Sequence, residues 1–173
     1  MEIISKSVKD TLDIGKVIAK NLQKGDIICL FGELGSGKTV LTKGIAGGLG
    51  IEKSRIVSPS FVLIRQHNSA KLPLYHFDLY RLKDPKDIVT IGYEEYLYDD
   101  GISVIEWADR LKYILPKEFL KIELFIKSKK QRLLKFKAFG NRYKELLERI
   151  HESRTFLGIQ KITKYSNKRK GAG

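Results

Sequence analysis

The run Ile27-Ile28-Cys29-Leu30-Phe31 contains no polar position. Such a run reads as a strand buried on both faces of a parallel sheet. Ahead of it, Val8, Leu12, Val17, Ile18 and Leu22 recur near the helical period, and Ser7 and Asp10 have the spacing of a capping box. This predicts a helix over 7–22. Lys24-Gly25-Asp26 forms the turn between the two. A second helix is expected from about Lys38 to Gly47, weakened by Gly44, Gly47, Gly48 and Gly50. Two further apolar stretches each end in a carboxylate: Leu72 to Phe77 leads to Asp78, and Ile102 to Ile105 leads to Glu106. Between them, 87–97 has a helical pattern interrupted by Gly92. Ile122–Ile126 and Leu133–Phe139, on either side of Ser128-Lys129-Lys130-Gln131, read as a β-hairpin. Asn141 is placed to cap a last helix carrying Leu146, Leu147 and Ile150. Strands alternating with helices predict an α/β chain, with a mainly parallel central sheet and a C-terminal antiparallel hairpin.

Composition bounds this picture. A chain of 173 residues, 42% of them apolar, suits one domain with a real core. The expected division is a domain over 1–157 and a basic tail over 158–173 that has little to bury and is expected to be disordered. No stretch approaches the roughly 18 apolar residues of a membrane span, and the N-terminus lacks the pattern of a signal peptide. A single cysteine, Cys29, excludes an internal disulfide framework and is expected only to pack. A cytoplasmic protein, with no membrane partner, is expected.

The net charge of +13 is unevenly spread: residues 1–116 carry 16 Lys/Arg against 15 Asp/Glu, and residues 117–173 carry 17 against 5. A basic C-terminal third points to an anionic partner, with nucleic acid as the first candidate. A merely solvated basic surface is the competing reading.

The chemistry sits after the first strand. Gly32-Glu33-Leu34-Gly35-Ser36-Gly37-Lys38-Thr39 matches G-x-x-x-x-G-K-[ST] at every fixed position. In such a loop the glycines let backbone N–H groups form a nest around phosphate oxygens, and the following helix presents its N-terminus to the same charge. Lys38 is expected to reach the β- and γ-phosphates, and Thr39 to supply a hydroxyl to Mg²⁺. Strand, loop and helix in this order predict a P-loop NTPase-like three-layer sandwich. The expected nucleotide-binding set is Glu33, Leu34, Gly35, Ser36, Gly37, Lys38, Thr39 and Val40.

A phosphate loop needs an acidic partner at a neighbouring strand end to complete the metal shell. Glu106 and Asp78 both qualify, and a division of roles between metal holding and water activation is left open. Each also has a plain reading as a carboxylate at a helix start. Trp107, next to Glu106, is placed to stack on a ligand, although a lone Trp more often only packs. His76 lies two positions before Asp78 and is a further candidate. Arg65 and Arg81 suit phosphate or nucleic acid, whereas His67 and His151 have no supporting pattern. Neither D-x-x-G nor [NT]-K-x-D, the marks of switch GTPases, occurs in the chain. Adenine follows by elimination, which makes ATP with Mg²⁺ the expected ligand pair. A small-molecule kinase and a nucleotide-gated nucleic-acid-binding module remain alternatives, but Arg81 is the only arginine between Leu79 and Glu106, so no arginine-rich lid is visible.

Beyond the loop, four ordered blocks stand out: Ser58-Pro59-Ser60-Phe61, His76-Phe77-Asp78-Leu79-Tyr80-Arg81-Leu82, Gly92-Tyr93-Glu94-Glu95-Tyr96-Leu97 and Ile105-Glu106-Trp107-Ala108-Asp109. With the loop, they resemble the TsaE family, also called YjeE, over about residues 7–126. That family comprises ATPases needed for threonylcarbamoyladenosine modification of tRNA in bacteria. The resemblance implies hydrolysis of ATP to ADP and phosphate, weak without partners, in support of a TsaB–TsaD complex. It implies catalytic roles for Lys38, Asp78 and Glu106 and metal binding by Thr39 and Glu106. Trp107 would accompany Glu106 at the nucleotide, Thr11 would lie near the adenine, and Ser58–Phe61 would be a switch-like segment. Ser36 and Ser60 stand where the family more often has Ala and Thr. The tail after about Leu157 exceeds the family's usual length.

Overall fold

The computed structural model describes residues 1–56, 63–69 and 72–156, with side chains to 153. The block Ser58–Phe61 and the tail over 158–173 lie outside the described residues. In chain order the elements are β1 (Glu2–Ser5), α1 (Val8–Lys20), β2 (Ile27–Phe31), α2 (Lys38–Gly48), β3 (Ile64–His67), β4 (Leu74–Asp78), α3 (Pro85–Val89), α4 (Tyr93–Leu97), β5 (Ile102–Glu106), β6 (Phe119–Ile126), β7 (Arg132–Phe139) and α5 (Asn141–Phe156). Short 3-10 segments cover Lys53–Arg55 and Ala108–Ile114.

Among the described residues seven strands form one sheet in the order β1-β7-β6-β2-β5-β4-β3. β2 lies at its centre, parallel to β6 on one side and β5 on the other, and β4 continues the parallel run beyond β5. The outer pairs β1–β7, β7–β6 and β3–β4 are antiparallel. β4 and β5 are buried along their whole length, as is β2 up to Phe31, because both faces of the central sheet are covered. The connections β1–α1–β2 and β4–α3–α4–β5 run in opposite directions along the sheet, so right-handed crossovers place them on opposite faces. α1 packs on α2 and touches α5, while α3 packs on α4 and on the Ala108–Ile114 segment. The outcome is the expected three-layer α/β sandwich with a C-terminal hairpin.

Local chemistry explains the boundaries. Ser7 caps α1 by accepting the Asp10 N–H at 3.0 Å, and the Asp10 carboxylate reaches back to accept from the Ser7 hydroxyl at 2.7 Å and from the Lys6 N–H, one residue ahead of the cap, at 2.9 Å. The buried stripe of α1 is Thr11, Ile14, Gly15, Val17, Ile18 and Ala19. Val8, counted on the apolar face from periodicity, is 65% exposed, because in the first turn it points away from the sheet. α2 crosses α1 at Gly44, where an added Cβ would lie 2.4 Å from the Leu12 carbonyl oxygen, so only glycine permits this approach.

Three expectations shift. The helical pattern over 87–97 splits into α3 and α4, because Gly92 at φ 69° breaks the helix between them. Asn141 is the first residue of α5, following Gly140 at φ 93°, and does not cap it from outside. β1 and β3 went unforeseen: each has four residues at a sheet edge, too few to set up a visible alternation. Cys29 is buried and its thiol is pushed up by burial, so it only packs. Among the described residues no helix is long and apolar enough to cross a membrane.

Candidate functional site

The central strand β2 delivers the chain into the loop at Gly32, whose φ is 143°. A side chain there would collide with the Leu124 carbonyl oxygen at 2.5 Å, so the loop can turn against β6 only through glycine. Gly37, at φ 101°, closes the loop and opens α2. The buried Lys38 side chain folds back over the loop. Its Nζ donates to the carbonyl oxygens of Gly32 and Glu33 at 2.7 and 2.9 Å and lies 3.5 Å from the Ser36 hydroxyl. Burial holds the ammonium below its ordinary pKa, with Glu106, Asp109 and Asp78 opposing that shift.

Glu106 ends β5 next to the loop and is only 1% exposed. Its Oε2 accepts from the Thr39 hydroxyl at 2.7 Å. Its Oε1 accepts from the Thr42 hydroxyl at 2.9 Å and lies 2.9 Å from His76 Nε2. A buried carboxylate is tolerable only with such partners. His76 Nδ1 is buried with no hydrogen-bond partner among the described residues.

Asp78 ends β4 directly beside Glu106 in the sheet register. Its Oδ1 accepts the Tyr80 N–H at 3.1 Å. Trp107 follows Glu106 at φ 59°, a conformation that non-glycine residues seldom adopt and one that turns the chain sharply out of the sheet. Its ring lies over Lys38, with Nζ 3.6 Å from the centroid, and against Tyr80 at 5.0 Å between centroids. Loop, strand ends and Trp107 enclose a cleft of ≈ 290 Å³, lined by Leu34, Gly35, Gly37, Lys38, Thr39 and Val40 on one side and by Asp78, Tyr80, Glu106 and Trp107 on the other. Roomier hollows of ≈ 540 Å³ beside α5 and ≈ 570 Å³ beside Tyr93 touch neither the loop nor these strand ends.

The family model for "Threonylcarbamoyl adenosine biosynthesis protein TsaE" matches residues 5–134, a span that includes the loop and both strand-end carboxylates. The chain belongs to the TsaE family. It is 41% identical over 143 residues to the tRNA threonylcarbamoyladenosine biosynthesis protein TsaE of Bacillus subtilis, covering 82% of this chain and 88% of that protein. It is 40% identical over 124 residues to the Treponema pallidum protein of the same name, covering 72% and 90% of the two chains. The crystal structure of Bacillus subtilis YdiB superposes with a TM-score of 0.76 at 34% identity, covering 89% of this chain and 95% of that one.

Among the residues singled out by TsaE resemblance, Lys38, Thr39, Asp78, Glu106 and Trp107 meet in the cleft. Thr11 does not line it: that side chain is buried, with its hydroxyl 2.7 Å from the Ser5 hydroxyl and donating to the Ser7 carbonyl at 3.3 Å. Glu33 contributes its carbonyl to Lys38 while its side chain is exposed. Ser36 is buried in the loop.

Sequence reasoning missed two contributors. Thr42 binds Glu106 from one helical turn beyond Lys38, a spacing that signals nothing without the sheet. Arg132, at the start of β7, donates from Nε to the Ser36 carbonyl and from Nη2 to the Gly35 carbonyl, both at 3.1 Å. No local motif announces that contact, because 96 positions separate Arg132 from Ser36. Among the described residues no group of three or more His, Cys, Asp or Glu gathers as a metal site.

Proposed function

We propose that this chain is a Mg²⁺-dependent ATPase acting in threonylcarbamoyladenosine modification of tRNA, hydrolysing ATP to ADP and phosphate in support of a TsaB–TsaD-like complex. Family membership supports the pathway. The observation that carries the chemistry is the Thr39–Glu106 contact at the mouth of the phosphate loop. A threonine hydroxyl and a carboxylate 2.7 Å apart form an all-oxygen pair of the kind Mg²⁺ takes, the rest of its shell coming from phosphate oxygens and water. Mg²⁺, when bound there, would neutralise charge on the phosphate oxygens.

The chain's own residues supply the remainder. The loop amides and the N-terminus of α2 receive the phosphates. Lys38 exchanges its contacts with the Gly32 and Glu33 carbonyls for phosphate oxygens, which are stronger acceptors for an ammonium. His76 and Thr42 hold Glu106 in one rotamer, so that its Oε2 stays on Thr39. Asp78, whose carboxylate borders the same cleft beside Glu106, is in place to orient the attacking water.

Phosphate release from ATP, measured with the chain alone and with TsaB, TsaD and tRNA each omitted in turn, tests this reading. Slow Mg²⁺-dependent release that rises with the full set is the expected result. Label passing from the γ-phosphate to a small metabolite would replace the hydrolase with a kinase, and no release under any condition would remove the enzyme reading.

A further inference from the structure

We infer that Arg132, on the C-terminal hairpin, is a positioning residue that holds the phosphate loop in its nucleotide-binding shape. The inference rests on the phosphate-loop reading of Gly32–Thr39 and adds to it a residue from outside the motif.

The guanidinium uses four hydrogen bonds, all to backbone carbonyls. Nη1 donates to Ser128 at 2.9 Å and Gln131 at 3.0 Å, which locks the side chain onto its own hairpin turn. Nε and Nη2 then reach across to Ser36 and Gly35, each at 3.1 Å. The planar fork thus bridges two rigid pieces, an antiparallel turn and the tip of the loop. Among the described residues it makes no ion pair with a carboxylate, so its charge is spent on the loop.

Peptide geometry gives this contact a consequence. In a trans peptide the C=O and the N–H point in opposite directions. Arg132 holds the Ser36 carbonyl outward, so the Gly37 N–H in the same peptide plane is turned the other way, toward the cleft that Gly37 lines. The neighbouring Gly35–Ser36 peptide is fixed in the same manner. Its carbonyl is on Arg132, and its Ser36 N–H donates to the Glu33 carbonyl at 3.2 Å, which closes the turn of the nest. The charged donor on the Ser36 carbonyl also polarises that peptide and makes the Gly37 N–H a better partner for an anion. Lysine cannot replace this arrangement, because one ammonium cannot span both loop carbonyls and the hairpin turn in a single plane.

The test is ADP affinity by calorimetry together with amide NMR on the full chain, for wild type, Arg132→Gln and Arg132→Lys. Arg132→Gln should bind ADP about tenfold more weakly. It should also lose most of the ADP-induced shift of the Gly37 amide, while the amides of β3 and β4 remain as in wild type. Arg132→Lys should fall between the two. Wild-type affinity and Gly37 shift in Arg132→Gln would overturn the inference, and so would full recovery in Arg132→Lys, which would leave charge alone as sufficient. Changes in β3 and β4 as large as those at Gly37 would reduce Arg132 to a general fold residue and also overturn it. A wild-type chain that binds no ADP would instead remove the phosphate-loop reading itself, which separates the two failures.

Discussion

Among the described residues Glu106 is held by three side chains from two elements, Thr39 and Thr42 on α2 and His76 on β4, and its behaviour on substitution should reflect that. Glu106→Gln keeps the volume but removes the charge between Thr39 and Thr42 and places an amide N–H₂ where hydroxyls now donate. Phosphate release should fall by about a hundredfold, a size typical of losing one electrostatic contact made at the reacting group. ADP binding measured without Mg²⁺ should change little, because the loop amides are untouched. Equal loss of both quantities would make Glu106 a structural residue. His76→Phe should leave Glu106 Oε1 short of one donor and lower stability by about 1–3 kcal/mol, read by urea unfolding. At the start of α1, hydrogen bonds from the Ser7 hydroxyl first and the Lys6 N–H second hold the Asp10 carboxyl below its ordinary pKa. A carboxylate whose folded pKa is depressed stabilises the fold above its unfolded pKa and loses that stabilisation as the pH falls through the folded value. Ser7→Ala should therefore cost about 1 kcal/mol near neutral pH and less in acid, where Asp10 is protonated in both states.

At the scale of elements, β2, the loop and α2 form one continuous unit, and α1 presses on it through glycine. Gly44→Ala would improve helix propensity by about 1 kcal/mol. It would also drive a methyl to 2.4 Å from the Leu12 carbonyl, where backbone must move. The net expectation is destabilisation by about 1–3 kcal/mol in urea unfolding, and a more stable variant would contradict the packing described. This unit was legible in the sequence because its signals are local: an apolar run, a spaced glycine motif and a carboxylate at the end of each buried strand. Asp78 and Glu106 were legible for the same reason. The partners of Glu106 were not, since His76 and Thr42 reach it from neighbouring elements only once the sheet exists. The edge strands β1 and β3 were hidden by their length, and the break between α3 and α4 was visible only as a weakening at Gly92.

For the molecule as a whole, the C-terminal third is more than a charged appendix. α5 is tied to the start of the central strand twice: Arg142 bonds both oxygens of the buried Asp26 at 3.0 and 2.6 Å, and the Tyr143 hydroxyl accepts the Ile27 N–H at 2.8 Å. Burial pushes the Tyr143 phenol up to about 12, which keeps it neutral there. Arg142→Met would strand the Asp26 carboxylate. Because the guanidinium is partly exposed, the expected loss is about 2 kcal/mol, below the range for a fully buried pair. The hairpin of this third also supplies Arg132 to the loop, so the basic region and the cleft beside the loop are mechanically joined. The charge pattern alone pointed only outward, to an anionic partner.

The loop Gly32–Thr39, closed by Glu106, is proposed to be a Mg²⁺–nucleotide site. Calorimetric titration of the chain with ATP, with and without Mg²⁺, in wild type and Lys38→Ala, tests it. One site per chain is expected, tightened by Mg²⁺ and weakened by about a hundredfold or more in Lys38→Ala, where the charged phosphate donor is gone. Equal binding by wild type and Lys38→Ala, or affinity indifferent to Mg²⁺, would contradict it.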